Sequence, residues 1–173
     1  GQGGALITNS DDIAQKLRRL KDFGRSGGGN DIHESVGFNF KFTELQACIG
    51  IEQIKKLSKR INRKKEIWSL YSKLLENTEG IELFQHDLNN TAPWFIDSLV
   101  EKRESLIDYL KKEGIGTRIM YPPINKQKAY SISEHHEVSE KIGKYGLWLP
   151  SYVQLRDEDI NRICDSIRKF YSG

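Results

Sequence analysis

Apolar residues in this chain recur every three to four positions in long stretches and every second position in short ones, and the two periods divide it into elements. The run Gly3 to Thr8, apolar behind glycines, predicts a short buried strand. Asn9-Ser10-Asp11-Asp12 then supplies a cap and early acids for a helix to about Phe23, with Ile13, Leu17 and Leu20 on one face and Gly24 just past its end. Arg25 to Asn30 is glycine-rich, but no strand directly precedes it and no Gly-Lys-Ser/Thr closes it. The pattern predicts a mobile loop and excludes a Walker phosphate loop.

The next change of period is the sharpest. Phe38-Asn39-Phe40-Lys41-Phe42 alternates aromatic and polar residues and reads as extended, with the three rings on one face and Asn39 and Lys41 on the other. From Thr43 to about Glu76 the period becomes helical, with Leu45, Ile49, Ile54, Leu57, Ile61, Trp68, Tyr71 and Leu75 in register. Unbroken, such a helix is about 50 Å long at 1.5 Å per residue. This length predicts a connector between two lobes, bent near Asn62; a coiled coil competes, although the heptad drifts.

Beyond Thr78 short elements alternate. Strands are expected at Ile81 to Phe84, Trp94 to Val100 and Gly116 to Met120. Helices are expected at Glu104 to Glu113, Val138 to Tyr145 and Asp157 to Tyr171. The expected fold class is therefore α/β passing into α+β, with one domain over 1–78 and a small α+β domain over 79–173.

Composition narrows the function classes. Lys and Arg number 27 against 24 Asp and Glu, a surplus of +3 that gives no reason to expect nucleic acid as a partner. Lys55-Lys56, Lys59-Arg60 and Arg63-Lys64-Lys65 concentrate positive charge, which on a helix reads as a solvated stripe. No apolar run approaches the roughly 20 residues that span a bilayer, so no membrane partner is expected and the chain reads as soluble and cytoplasmic. Cys48 and Cys164 lie in helical patterns and read as reduced packing thiols; His33, His86, His135 and His136 lack metal-ligand spacing.

Asn39 and Lys41 together carry the clearest chemistry. An amide and an ammonium side by side on an apolar backing suit an anionic oxygen, phosphate above all. A strand edge with two solvated polar residues has the same spacing.

Three blocks carry a resemblance. Gly37-Phe-Asn-Phe-Lys-Phe-Thr-Glu-Leu-Gln-Ala47 is similar to the G-Y-N-Y-R-x-T/D-E-L-Q-A signature of the DegT/DnrJ/EryC1/StrS family, the pyridoxal-phosphate sugar aminotransferases. Gly1-Gln-Gly-Gly-Ala-Leu-Ile-Thr-Asn9 resembles that family's T-G-E-G-G-x-x-x-T-N, with Gln2 where glutamate is usual. Tyr121-Pro-Pro-Ile-Asn-Lys-Gln-Lys-Ala-Tyr130 resembles its Y-P-x-P-L-H-x-Q-x-x-Y. Leu149-Pro150-Ser151 before a helix opening Asp157-Glu158-Asp159-Ile160 also fits.

The resemblance implies the C-terminal portion of a fold-type I pyridoxal-phosphate-dependent transferase: the end of the large domain, a long connecting helix and a small α+β domain. It implies pyridoxal 5'-phosphate as cofactor in the complete enzyme, with Asn39 reaching the cofactor phosphate of the partner subunit in a homodimer. Lys41, where arginine is common, then serves the substrate diphosphate, and Arg118, Tyr121, Asn125, Gln127 and His33 are substrate-side residues. Pro122 and Pro123 stiffen the turn that presents Tyr121, Asn125 and Gln127 to a sugar. Asn125 stands where histidine is usual and cannot take up charge near neutral pH.

The implied activity is transfer of an amino group, usually from glutamate, to a nucleotide-linked keto-sugar, nearest in type to the members acting on 4-keto-6-deoxy sugars. The products feed surface polysaccharides or related glycans. In the family the cofactor lysine lies upstream of the glycine turn at Gly1, so the chain is expected to be part of a longer enzyme and inactive alone. Two alternatives stay open: a sugar dehydratase of the same family, in which histidine replaces that lysine, and a non-catalytic dimerisation module.

Overall fold

The structure, a computed structural model, describes residues 2–26, 31–130 and 134–173. Most of the glycine-rich stretch, 27–30, lies outside the described residues. The chain divides into two compact units, Gly1–Leu57 and Ser58–Gly173.

The first unit holds helices α1 (Asp11–Lys21) and α2 (Glu44–Ile54). Ser10 caps α1, its Oγ accepting from the Ile13 N–H at 3.4 Å. The helix stops at Lys21, two residues before the expected end, because Phe23 and Gly24 turn left-handed (φ 58° and 77°). Gly24 is required there: a Cβ would lie 1.8 Å from the Ser35 carbonyl oxygen. Thr43 and Gln46 form a reciprocal capping box at the start of α2.

Gly3 to Thr8 is not a strand. It has no strand partner among the described residues, and Leu6 (77%) and Ile7 (94%) are exposed. Only Gly24 is buried among the described residues of this unit, so the apolar faces of α1 and α2 have no core within it. Cys48 is likewise exposed, contrary to the packing role expected for it.

The expected 34-residue helix is two helices. Hydrogen bonding tightens at Lys55 and Lys56, whose N–H groups reach back to Gln53, and α3 (Leu57–Leu74) begins anew. Like charges four apart, Lys55 with Lys59 and Lys56 with Arg60, disfavour continuing the helix through this point. Asn62, the expected bend, lies inside α3.

The second unit adds β1 (Ile81–Leu83), β2 (Ile96–Val100), α4 (Arg103–Lys112), β3 (Arg118–Ile119), α5 (Glu137–Tyr145), β4 (Gly146–Leu149) and α6 (Asp157–Ser172). The strands form one antiparallel sheet in the order β1-β2-β4-β3. Alternation sends Ile96, Ser98, Val100, Leu147 and Leu149 into a core shared with Ile67 and Tyr71 of α3, Leu106 and Leu110 of α4, and Ile160, Ile163, Cys164 and Ile167 of α6. Ser98 is tolerated there because its Oγ donates to the Leu147 carbonyl at 2.7 Å. Helix α3 packs with this core, and the two compact units meet in sequence at Leu57/Ser58.

The remaining expected elements are present within a residue or two, save that the third strand keeps only Arg118 and Ile119. Strand β4 was not anticipated. Its four residues are all buried and so lack the alternation that marks a half-exposed strand.

Candidate functional site

In the first unit the signature segment is built onto the end of α1. Phe38 and Phe40 donate backbone N–H groups to the carbonyls of Leu20 (2.7 Å) and Lys21 (3.0 Å), and Phe23 donates to the Phe38 carbonyl at 3.0 Å. The extended segment thus takes up carbonyls that a helix C-terminus leaves unpaired. Gly37 permits the approach, since a Cβ would stand 2.1 Å from the Gly24 nitrogen. The Phe38 and Phe40 rings stack at 5.2 Å, as the alternation requires.

Asn39 pairs with Asp22 as an isolated antiparallel bridge, and its side chain is exposed, with no hydrogen-bond partner among the described residues. Lys41 is engaged: its Nζ lies 3.0 Å from Asp22 Oδ1 and 4.6 Å from the centre of the Phe23 ring. Arg25 holds the same carboxylate oxygen at 2.6 Å and Asp31 at 2.8 Å. Hydrogen bonds from Arg25, then Lys41, keep the Asp22 carboxyl below its ordinary range.

Beside them runs a groove of about 720 Å³ lined by Arg18, Arg19, Lys21, Arg25 and Lys41 with Asp22 as the one carboxylate. Cations outnumber acids there, which suits an anion. His33 lies nearby, its Nδ1 2.7 Å from the Phe23 carbonyl oxygen; that contact requires the proton on Nδ1 and leaves Nε2 as an acceptor in the neutral ring.

For pyridoxal phosphate the fit rests on the side chain of Asn39. An unengaged amide beside paired cations can donate to a phosphate oxygen without breaking an internal bond.

In the second unit Arg118, at the edge strand β3, sits over the rings of Tyr121 (5.3 Å) and Trp148 (5.4 Å). Tyr121 is 64% exposed and meets Trp148 edge-on at 5.0 Å. Trp148 in turn stacks on Phe95 at 4.2 Å and donates its indole N–H to Asp97 at 2.6 Å.

Asn125, expected on the substrate side, is 7% exposed, and its amide donates to the Glu134 carbonyl (2.8 Å) and Glu140 (3.3 Å). Glu140 collects four partners, the others being Lys126, His135 and the His136 N–H. Gln127 reaches back to the Pro122 carbonyl at 3.5 Å. The turn therefore presents Tyr121 outward while Asn125 and Gln127 hold its shape. Sequence reasoning missed Phe95, Asp97 and Trp148; the available signal was the unread apolar run Gly146-Leu-Trp-Leu149, whose tryptophan faces Arg118 across the sheet.

Residues 1–168 match the model of the DegT/DnrJ/EryC1/StrS aminotransferase family. GDP-perosamine synthase of Escherichia coli O157:H7 is 30% identical over 176 residues, covering 99% of this chain and 48% of that protein. The dTDP-4-amino-4,6-dideoxy-D-glucose transaminase of Escherichia coli is 31% identical over 177 residues, covering 94% of this chain and 46% of that protein. The crystal structure of a family aminotransferase from Brucella abortus superposes with a TM-score of 0.86 at 25% identity, over 96% of this chain and 46% of that one. The chain spans about half the length of the curated relatives it matches. Because the agreement runs through both compact units and not through one motif alone, the chain belongs to the DegT/DnrJ/EryC1/StrS aminotransferase family.

Proposed function

We propose that this chain is the substrate-side part of a pyridoxal-phosphate-dependent enzyme that converts a nucleotide-linked keto-sugar to an amino sugar. Glutamate is the amino donor, and the product serves surface polysaccharide or a related glycan in the cytoplasm of the producing cell. The observation that carries this reading is the family match over residues 1–168, with the Asn39 amide exposed at the centre of the signature segment and without a hydrogen-bond partner among the described residues. When bound, the cofactor supplies the electron sink for exchange of the amino group.

The chain's own residues bind and orient. Asn39 donates to the cofactor phosphate of the partner subunit in a homodimer. Lys41 and the cationic groove beside it neutralise the substrate diphosphate, with Lys41 exchanging its Asp22 contact for phosphate. Arg118, Tyr121 and His33 face the substrate, while Asn125 and Gln127 hold the turn. In the complete enzyme residues 1–78 close the large domain and 79–173 form the small one. The cofactor lysine comes from the other half, so this chain alone transfers nothing.

The test is to produce the chain joined to the upstream half of its enzyme, with pyridoxal phosphate, glutamate and a nucleotide-linked 4-keto-6-deoxy sugar. Amino-sugar formation is expected from the joined protein and none from the chain alone. Asn39→Ala should weaken cofactor retention by about tenfold, the worth of one hydrogen bond to a charged group. Loss of water from the sugar without amino transfer would replace this reading with that of a dehydratase. Tight self-association with neither cofactor nor nucleotide-sugar binding would leave a dimerisation module.

A further inference from the structure

The arginines of the second unit mostly satisfy their N–H groups inside the protein. Arg63 donates to Asp157 and the Leu155 carbonyl, Arg103 to Glu104 and the Gly143 carbonyl, Arg156 to Asp159, and Arg168 to the Leu74 carbonyl. Arg118 does not. Among the described residues it has no carboxylate in ion-pair range, and its one hydrogen bond is a 3.4 Å contact from Nη2 to the Tyr121 hydroxyl. An arginine carries five N–H donors, so most of this fork is unspent.

Arg118 is nevertheless held. Its guanidinium lies over two rings at once, and the larger ring is fixed in place. Trp148 sits on the inner strand β4, in register with Arg118 on one side and Asp97 on the other. Phe95 stacks on it at 4.2 Å and 16°, and its indole N–H is tied to Asp97 at 2.6 Å. Ring contacts engage the charge of a guanidinium and use up none of its N–H donors as hydrogen bonds, so the fork can still take two oxygens of one carboxylate or phosphate.

We propose that Arg118 is an oxyanion receptor and that Trp148 is the positioning residue that holds its fork ready. This rests on reading Arg118 and Tyr121 as substrate-side residues. The oxyanion is the carboxylate of the amino donor or the diphosphate of the nucleotide sugar.

The experiment titrates the ¹⁵N-labelled full chain with L-glutamate and, separately, with inorganic pyrophosphate, against sodium chloride at matched ionic strength. The indole N–H resonance of Trp148, assigned by its absence in Trp148→Phe, and the Arg118 Nε–H resonance report binding. A saturable shift with one probe names the source, and Arg118→Gln should abolish it while the other indole resonances stay in place. Trp148→Leu should weaken binding by about tenfold and Trp148→Phe should recover most of it, in keeping with the strength of a cation–π contact. If Trp148→Leu loses the dispersed spectrum, Tyr121→Leu at the exposed ring replaces it, with weakening expected. Equal shifts with chloride, no shift with either probe, or unchanged binding in Arg118→Gln would overturn the proposal. Neither the cofactor nor the other half of the enzyme takes part, so failure of amino transfer in the joined protein leaves this result standing.

Discussion

Lys64 donates from Nζ to the carbonyls of Trp94 and Ser151 and to the Ser151 hydroxyl, joining α3 to two loops. Burial favours its neutral form and lowers its pKa, against a smaller opposing pull from Asp97. Lys64→Met keeps the stem but takes the donor from the Ser151 carbonyl and leaves the Trp94 carbonyl only a 3.5 Å contact from the Ser151 hydroxyl, and should cost about 1–3 kcal/mol in urea unfolding. Glu140 is the acidic counterpart. Desolvation pushes its carboxyl up, but hydrogen bonds from Lys126, the His136 N–H, Asn125 and His135 outweigh it and hold the pKa at about 2, from an ordinary 4.5. A depressed carboxyl contributes stability above its unfolded pKa and loses it as pH falls through the folded one. The Asn125 and His136 amide resonances should therefore stay native-like down to about pH 4.5 and move together toward pH 2, with Glu140→Gln showing the displaced positions already at neutral pH. Lys64 and Arg63 read as solvated charges in sequence because a run of cations carries no mark of the distant oxygens that some of them reach, here 30 and 87 residues away for Lys64.

Among the elements, α2 is the one with its start most plainly written. Thr43→Ala removes the acceptor for the Gln46 N–H and half of the capping box. It should destabilise the first turn of α2 by about 1 kcal/mol, seen as faster amide exchange at Leu45 to Ala47 with α3 unchanged. Caps, closing glycines and amphipathic spacing are local, which is why α1, α4, α5 and α6 were legible within a residue or two. Three readings failed for a common reason. The strand expected at Gly3 to Thr8 needs a neighbour to pair with, β4 needed a sheet around it to be seen as a strand, and the break at Lys55–Lys56 divides a run whose apolar period never falters. None of the three turns on an interaction that apolar periodicity registers: the two strands depend on a partner strand from elsewhere in the chain, and the break on charge.

At the scale of the whole chain, the two units should differ in resistance to opening. Residues 58–173 share one apolar core drawn from β1, β2 and β4 and from α3, α4 and α6, whereas the first unit buries only Gly24 among its described residues. Hydrogen exchange followed by mass spectrometry should find protected amides in β2, β4, α4 and α6 and rapid exchange throughout α1 and α2. Comparable protection in α2 would mean that something covers Leu45, Ile49, Ile51 and Ile54 in solution. Membership of the family could be read from ordered motifs, because Gly37, Asn39, the Tyr121 turn and the terminal helix are specified by residue type over a few positions. The state of each site residue could not. Lys41 meets Asp22, Asn125 turns inward to Glu140, and Arg118 stands on Trp148 only because strands and loops far apart in the chain are brought side by side. Local spacing sets which way a side chain leaves its own backbone; which donor or ring it then meets is settled by segments that packing delivers from elsewhere.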